Sequence, residues 1–239
     1  MKILVGCCGF PINKERYFEK FKVVELQSTF YEIPKKLDTV KKWREKAPKD
    51  FEFTLKAFQV ITHEFSSPTY KRLKEKLGNP KNYGFFKNKK EVFEAWEMTR
   101  KVAEALNSKI IVFQCPASFR PEKENIENFR SFFKKIKEKN FIFVWEPRGN
   151  WPEEIIKKLC KELNLVHCVD PFKQKPLFGK INYFRLHGRD GYNLRYKYTS
   201  EDFKELLEFC GKKENYVLFN NLNMFEDAQK FQKLCQKFS

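Results

Sequence analysis

Histidine is scarce in this chain of 239 residues: three occur, at 63, 167 and 187, with neither HxH nor HxxxH spacing. A site that gathers several imidazoles and carboxylates around two or three divalent ions is therefore short of ligands, although a single ion held by His63, His187, Glu25 or Asp170 stays open. Cysteine occurs seven times, an odd number without CxxC spacing, so no disulfide framework is expected and a reduced, cytoplasmic setting fits best. Cys7, Cys8, Cys115 and Cys168 fall in or near strand ends, where a soft-metal or iron–sulfur site competes with the favoured reading of free Cys as a small buried hydrophobe. No cofactor is specified. Long apolar runs are missing as well: no stretch of ~18 residues could span a bilayer, and MKILVGCCG at the N-terminus is too short for a signal-peptide core, so no membrane association is expected. No repeat, low-complexity tract or linker divides the chain, and 1–239 is read as one domain. Acid is in deficit, with 31 Asp and Glu against 48 Lys and Arg and a formal charge of +17. Such a field attracts polyanions, which makes nucleic acid a plausible partner; the alternative is Lys on solvated helix faces, in a Lys/Glu-rich and Gln-poor composition like that of heat-adapted proteins. The oligomeric state is not read from sequence.

What is abundant is material for a core: hydrophobic residues make up 41% of the chain, and 27 are Phe. Eight short apolar runs rich in β-branched and aromatic residues read as strands at 3–6, 23–27, 51–56, 110–114, 141–146, 165–170, 181–187 and 216–220. Helical periodicity predicts helices at 14–20, 37–46, 89–106, 122–139, 152–163, 200–210 and 224–237. Pro152 suits a first helical position, and Thr199 or Ser200 before Glu201 and Asp202 reads as an N-cap. Only the sixth crossover, 171–180, lacks an obvious helix. Strict β/α alternation with near-continuous apolar strands argues for a parallel sheet, and eight repeats argue for closure into a single (β/α)8 TIM-type barrel. The longest irregular stretch, 57–87, suits a lid over the barrel mouth with a small helix at 70–77.

In such barrels the sites lie at the C-terminal strand ends. Reading off those ends yields Glu25 and Gln27; Lys56, with His63 beyond it; Gln114; Glu146 and Arg148; Asp170; Arg185 and His187; and Asn220 with Asn221. Residues two apart share a strand face, so Glu25 accompanies Gln27 and Arg185 accompanies His187. Buried charges there need partners, and Glu25 and Glu146 are the natural ones for Lys56, Arg148 and Arg185. The structural alternative is an ion-pair layer that plugs the barrel top.

The segments GCCGFP (6–11), VELQSTFYEIP (24–34), Trp43 with Ala47 and Pro48, FEFTLKAFQVITH (51–63), FQCPASF (113–119), WEPRGNW (145–151), YFRLHGRDGY (183–192) with Tyr196 and Tyr198, and YVLFNN (216–221) resemble the YecE-like family, domain of unknown function 72. The likeness runs in order over nearly the whole chain. It implies a TIM-type barrel whose shared polar positions match Glu25, Thr29, Phe30, Tyr31, Lys56, His63, Gln114, Glu146, Arg148, Trp151, Asp170, Arg185, His187, Gly188, Tyr196, Asn220 and Asn221. It implies no established activity; the fold-level resemblance to endonuclease IV and xylose isomerase barrels is analogy. Relatives usually read GTSGW in the first strand, whereas Cys7, Cys8 and Phe10 stand here in place of Thr, Ser and Trp, a departure that puts any hydroxyl-dependent role at that loop in doubt.

Two functional classes follow. In the first, a hydrolase acts on a phosphate-bearing or nucleic-acid substrate: Glu25 and Glu146 serve as acid and base, Lys56, Arg148 and Arg185 hold the negative charge, and His187 is a further proton carrier. Catalytic candidates are thus Glu25, Lys56, Glu146 and His187, with Tyr31, His63, Gln114, Arg148, Trp151, Asp170, Arg185, Arg189, Tyr196, Asn220 and Asn221 binding the ligand. His187 has the structural alternative of holding the 188–191 loop by its N–H. In the second class a barrel binds nucleic acid without turnover, through Phe10, Phe30, Tyr31, Trp151, Tyr192, Tyr196 and Tyr198 interleaved with Lys14, Arg148, Arg189, Arg195 and Lys197. The run GRDGYNLRYKY (188–198) is the best such surface.

Overall fold

Eight parallel strands hydrogen-bond in chain order and close on themselves, β1 (Ile3–Cys8), β2 (Val23–Leu26), β3 (Glu52–Lys56), β4 (Ile110–Gln114), β5 (Ile142–Glu146), β6 (Val166–Val169), β7 (Asn182–Leu186) and β8 (Asn215–Phe219), with β8 returning to β1. The computed structural model describes residues 2–34, 36–189 and 192–237. Each strand is short because parallel strands buried on both faces need apolar side chains at every position, and the runs that supply them are short. Alternation sorts those side chains. Leu4, Val23, Ile110, Val112, Val144, Val166, Tyr183, Tyr216 and Leu218 pack into one cluster that fills the barrel. Their strand neighbours Val24, Leu55, Ile111, Phe113, Trp145, Phe184 and Phe219 belong to the larger cluster beneath the helices. There the Phe-rich composition is used: Phe86, Phe113, Phe129, Phe132 and Phe133 make edge and tilted ring contacts 4.8 to 6.3 Å apart, the geometry ring quadrupoles favour.

The helices are α1 (Lys14–Lys20), α2 (Ser28–Tyr31), α3 (Leu37–Lys46), α4 (Gln59–Thr62), α5 (Lys90–Ala105), α6 (Lys123–Lys135), α7 (Glu153–Leu163), α8 (Ser200–Phe209) and α9 (Met224–Gln236). The Thr199 side chain accepts from the Asp202 backbone N–H while Asp202 accepts from that of Thr199, the reciprocal capping box the sequence announces. Pro152 is the N-cap of α7 and not its first helical residue. The sixth crossover, 171–180, contains no helix among the described residues. The helix expected at 70–77 does not form. Pro68 and Pro80 instead start two 3-10 turns, Pro68–Arg72 and Pro80–Asn82, because the charged stretch at 74–76 offers no apolar face to bury and Gly78 adopts a positive φ of 58°. The four-residue helices α2 and α4 go unnoticed in sequence because one turn is too short to show a period. They matter, since each follows a site-bearing strand directly.

Candidate functional site

Alternation carries one inward-facing polar position to the top of most strands, and Arg185 is the centre of the layer they make. Its guanidinium, 1% exposed, donates to both carboxylate oxygens of Glu25, with Nε 3.2 and 3.0 Å from Oε1 and Oε2, and to Oε2 of Glu146 on the far side. Tyr183, one inward step below Arg185, donates its hydroxyl to Glu25 Oε2 at 3.0 Å and meets the Thr54 hydroxyl at 2.8 Å. Glu146 in turn accepts from Arg148 at 3.2 and 3.1 Å. Burial works against charge on Glu146, but the flanking Arg185 and Arg148 guanidiniums prevail and hold its carboxyl well below the ordinary range. By the same balance burial opposes charge on Arg185, and Glu146 and Glu25 overcome it. Three buried charges therefore hold one another: without Arg185, Glu25 loses its cation and Glu146 keeps Arg148 alone, and without either carboxylate Arg185 keeps one counter-charge.

Lys56 is outside that network. The ion pairs expected between Lys56 and the two glutamates are not among the described contacts: its Nζ donates to Gln114 Oε1 at 2.8 Å and lies 3.9 Å from the centre of the Phe30 ring. Burial, then the neighbouring positive charge of Arg185, lowers its pKa to about 7. His63 packs edge-on against the same Phe30 ring at 4.9 Å, and its Nδ1 meets the Thr62 hydroxyl at 2.8 Å. Burial first, and Lys56 next, lower the His63 pKa to about 3.

Above this layer opens a cavity of about 640 Å³, walled by His63, Gln114, Glu146, Arg148, Asp170 and His187, with Lys173 and Tyr192 at its edge. The Asp170 carboxylate accepts from the backbone N–H of His187 and of Phe172, each at 3.2 Å, and burial raises its pKa. His187 stands with its ring 4.6 Å from that of Tyr192. Its Nε2 is buried and has no hydrogen-bond partner, an exception in protein interiors. Burial, with Arg185 next, lowers its pKa to about 3, so the imidazole is neutral at physiological pH. Tyr192, 53% exposed, is flanked by Arg148 and Lys173 at 4.6 and 4.7 Å from its ring centre.

The strand-end residues named from sequence thus fall into three positions. His63, Gln114, Glu146, Arg148, Asp170 and His187 meet around the cavity. Glu25, Lys56 and Arg185 form its buried underlayer, and Asn220, which accepts from Gln27 Nε2 at 2.7 Å, stands at the end of β8. The others are engaged elsewhere. Trp151 donates from its indole to the Phe119 carbonyl and packs on Trp145. Arg189 is clasped by Asp202 and Glu205, and Tyr196 donates to Asp202 at 2.6 Å. The Asn221 amide donates to the Tyr196 carbonyl and Asp227, while Tyr31 lies under Arg72. Half of the loop that the His187 N–H was expected to hold, 190–191, lies outside the described residues. Lys173 and Tyr183 are missed by sequence reasoning. Lys173 sits in the helix-less crossover with no motif, and Tyr183 is hidden in an apolar run, where only its even spacing from Arg185 and His187 marks it. Among the described residues no three His, Cys, Asp or Glu side chains are grouped to hold a metal ion, and no helix is long and apolar enough to cross a membrane.

Solved structures with this architecture include a DUF72 family protein from Enterococcus faecalis, with a TM-score of 0.74 and 21% identity over 98% of both chains. A DUF72 family protein from Thermotoga maritima has a TM-score of 0.69 and 22% identity over 99% of this chain and 100% of that one. Endonuclease IV from Thermus thermophilus, at 0.55 and 9% identity over 99% and 98%, shares the fold alone. No curated protein sequence matches. The family model described as protein of unknown function DUF72 matches residues 14–239, and the chain belongs to that family.

Proposed function

We propose that the chain is a hydrolase acting on a phosphate-bearing substrate held in the cavity at the C-terminal strand ends. The observation that carries this reading is the bare, buried Nε2 of His187 beside Arg148 in the cavity wall. A neutral imidazole with one nitrogen unsatisfied is completed by a ligand that hydrogen-bonds to it, and a guanidinium supplies the planar pair of donors that phosphate oxygens accept. An anion placed there would offset the positive charge of Arg185 and Arg148, which helps keep His187 neutral. The imidazole would thereby be raised toward the range in which it can take a proton from an attacking water. Asp170 is the positioning residue, because it anchors the His187 backbone. The carboxylates expected to act as acid and base are better suited to structure: Glu25 is fully buried and Glu146 is committed to two guanidiniums.

The endonuclease IV likeness is compatible with a phosphodiester but, at 9% identity, adds no more than the shared fold. The second reading, nucleic-acid binding without turnover, is favoured by the exposed Tyr192 ring between two cations. Turnover of bis(p-nitrophenyl) phosphate and of single-stranded oligonucleotides decides between them. His187→Asn is expected to lower kcat by about 10² or more, and Arg148→Met to raise KM. Oligonucleotide binding with no product from the wild type would sink the hydrolase and leave the binding barrel.

A further inference from the structure

Lys56 is not used by the hydrolysis just described, and it is an anomaly on its own terms. A lysine that is 5% exposed is rarely found without a carboxylate partner, yet both nearby acids are bound to arginines. Its amine rests on the Phe30 ring and on the amide oxygen of Gln114, a residue of the cavity wall. An amine in an apolar setting beside another cation loses its proton readily and becomes a nucleophile toward carbonyl carbon, and its pKa near 7 accords with that. Gln114, whose amide oxygen is 2.8 Å from Nζ, lines the cavity and so connects the buried amine to it.

We propose that Lys56 forms an imine with a phosphate-bearing aldehyde or ketone seated in this cavity. The phosphate half rests on the reading above, with Arg148 as its holder; the imine half stands on Lys56 alone. The Nζ lone pair adds to the carbonyl carbon, the C=O π pair moves to oxygen, and a proton passes from nitrogen to that oxygen to give a carbinolamine. The C–O bond then breaks, the hydroxyl leaves as water with one further proton, and a C=N bond remains. Amine and carbonyl become imine and water, and no oxidant or reductant enters. His63, against the same Phe30 ring and in the cavity wall, is the nearest imidazole for the proton transfers.

The test is reductive trapping of the full chain with glyceraldehyde 3-phosphate and cyanoborohydride, followed by peptide mapping. The reduced adduct should appear on Lys56 ahead of the exposed lysines and vanish in both Lys56→Met and Lys56→Arg, each checked for a cooperative melt. Arg148→Met should raise the concentration of the phosphorylated probe needed by about tenfold or more, and by more than it raises that of unphosphorylated glyceraldehyde; an equal effect on both probes would discard Arg148 as the phosphate holder. Adduct spread over surface lysines, with an unmodified Lys56 peptide in the wild type, would overturn the imine; that result needs no variant to fold. Protection of Arg148 from phenylglyoxal by inorganic phosphate reads the phosphate site independently. Lys56 labelled without such protection would keep the imine and discard the phosphate half.

Discussion

Arg185 illustrates how one side chain can be indispensable without touching a ligand. It holds two carboxylates from β2 and β5 that would otherwise repel each other inside the barrel. Removing it leaves Glu25 buried without a cation and Glu146 with Arg148 alone, so Arg185→Met is expected to destabilise the fold by about 3–5 kcal/mol in denaturant titration. Adding Glu25→Gln and Glu146→Gln to that variant should recover much of the loss, because the uncompensated charges go with the carboxylates; no recovery would show that packing and not charge dominates. The histidines make a second prediction. Burial, the first cause in each, depresses His63 and His187 to about 3 and His167 to about 4, from an ordinary 6.5. Between those values and 6.5 the unfolded chain binds protons that the folded chain refuses, so stability rises with pH. Stability should therefore be fully present above about pH 6.5 and decline as pH falls toward 4 and 3. Glu146, also depressed, adds to the loss below its ordinary 4.5. Urea midpoints measured at about pH 7, 5.5 and 4.5 check this, and a flat profile would mean that the imidazoles protonate in place.

Elements set where those side chains stand. The loop after β7 turns at Gly188, whose φ of 86° lies in the left-handed region and whose position would drive a Cβ into the Asn193 carbonyl oxygen. The Gly188 N–H donates to the Tyr198 hydroxyl at 2.8 Å, which ties the turn to the outer core. Gly188→Ala should therefore displace the segment carrying Tyr192 while sparing the barrel. The expected result is loss of the Tyr192–His187 ring contact and weaker oligonucleotide binding, with a melting temperature lowered only modestly. Unchanged binding would place Tyr192 outside the ligand site. The same logic explains the long stretch between β3 and α5. Gly84, at a φ of 81°, lets the chain pass close over the His63 carbonyl, and Tyr70 donates its hydroxyl to that carbonyl at 2.8 Å. His63 is thus pinned from both sides, as a wall of the cavity.

The whole molecule carries +17, and that charge is distributed differently from the chemistry. In the site the arginines are matched by Glu25 and Glu146, whereas the excess lies in Lys spread over the surface. A field of that kind supports retention on any polyanion and releases it with salt through counterion release. Retention on heparin and on DNA should therefore be similar and should fall steeply between about 50 and 200 mM salt, and His187→Asn should not alter it. DNA retention that outlasts heparin retention at the higher salt would locate a specific nucleic-acid surface.

Strand and helix alternation, and with it the closed barrel, were legible in sequence because a parallel barrel demands near-continuous apolar runs at regular intervals, a local pattern. The polar residues ending those runs were legible for the same reason: inward parity places Glu25, Lys56, Gln114, Glu146, Arg185 and His187 on one face of their strands. Short elements such as α2 and α4 were not, as a single turn has no period. What only the tertiary structure decided is the pairing. Which carboxylate Arg185 would take, that Lys56 would be left without one, and that Trp151, Arg189 and Tyr196 would be claimed by core and helix contacts all depend on distances across the barrel. Electrostatic partners are chosen by separation in space and by burial, and neither is written along the chain.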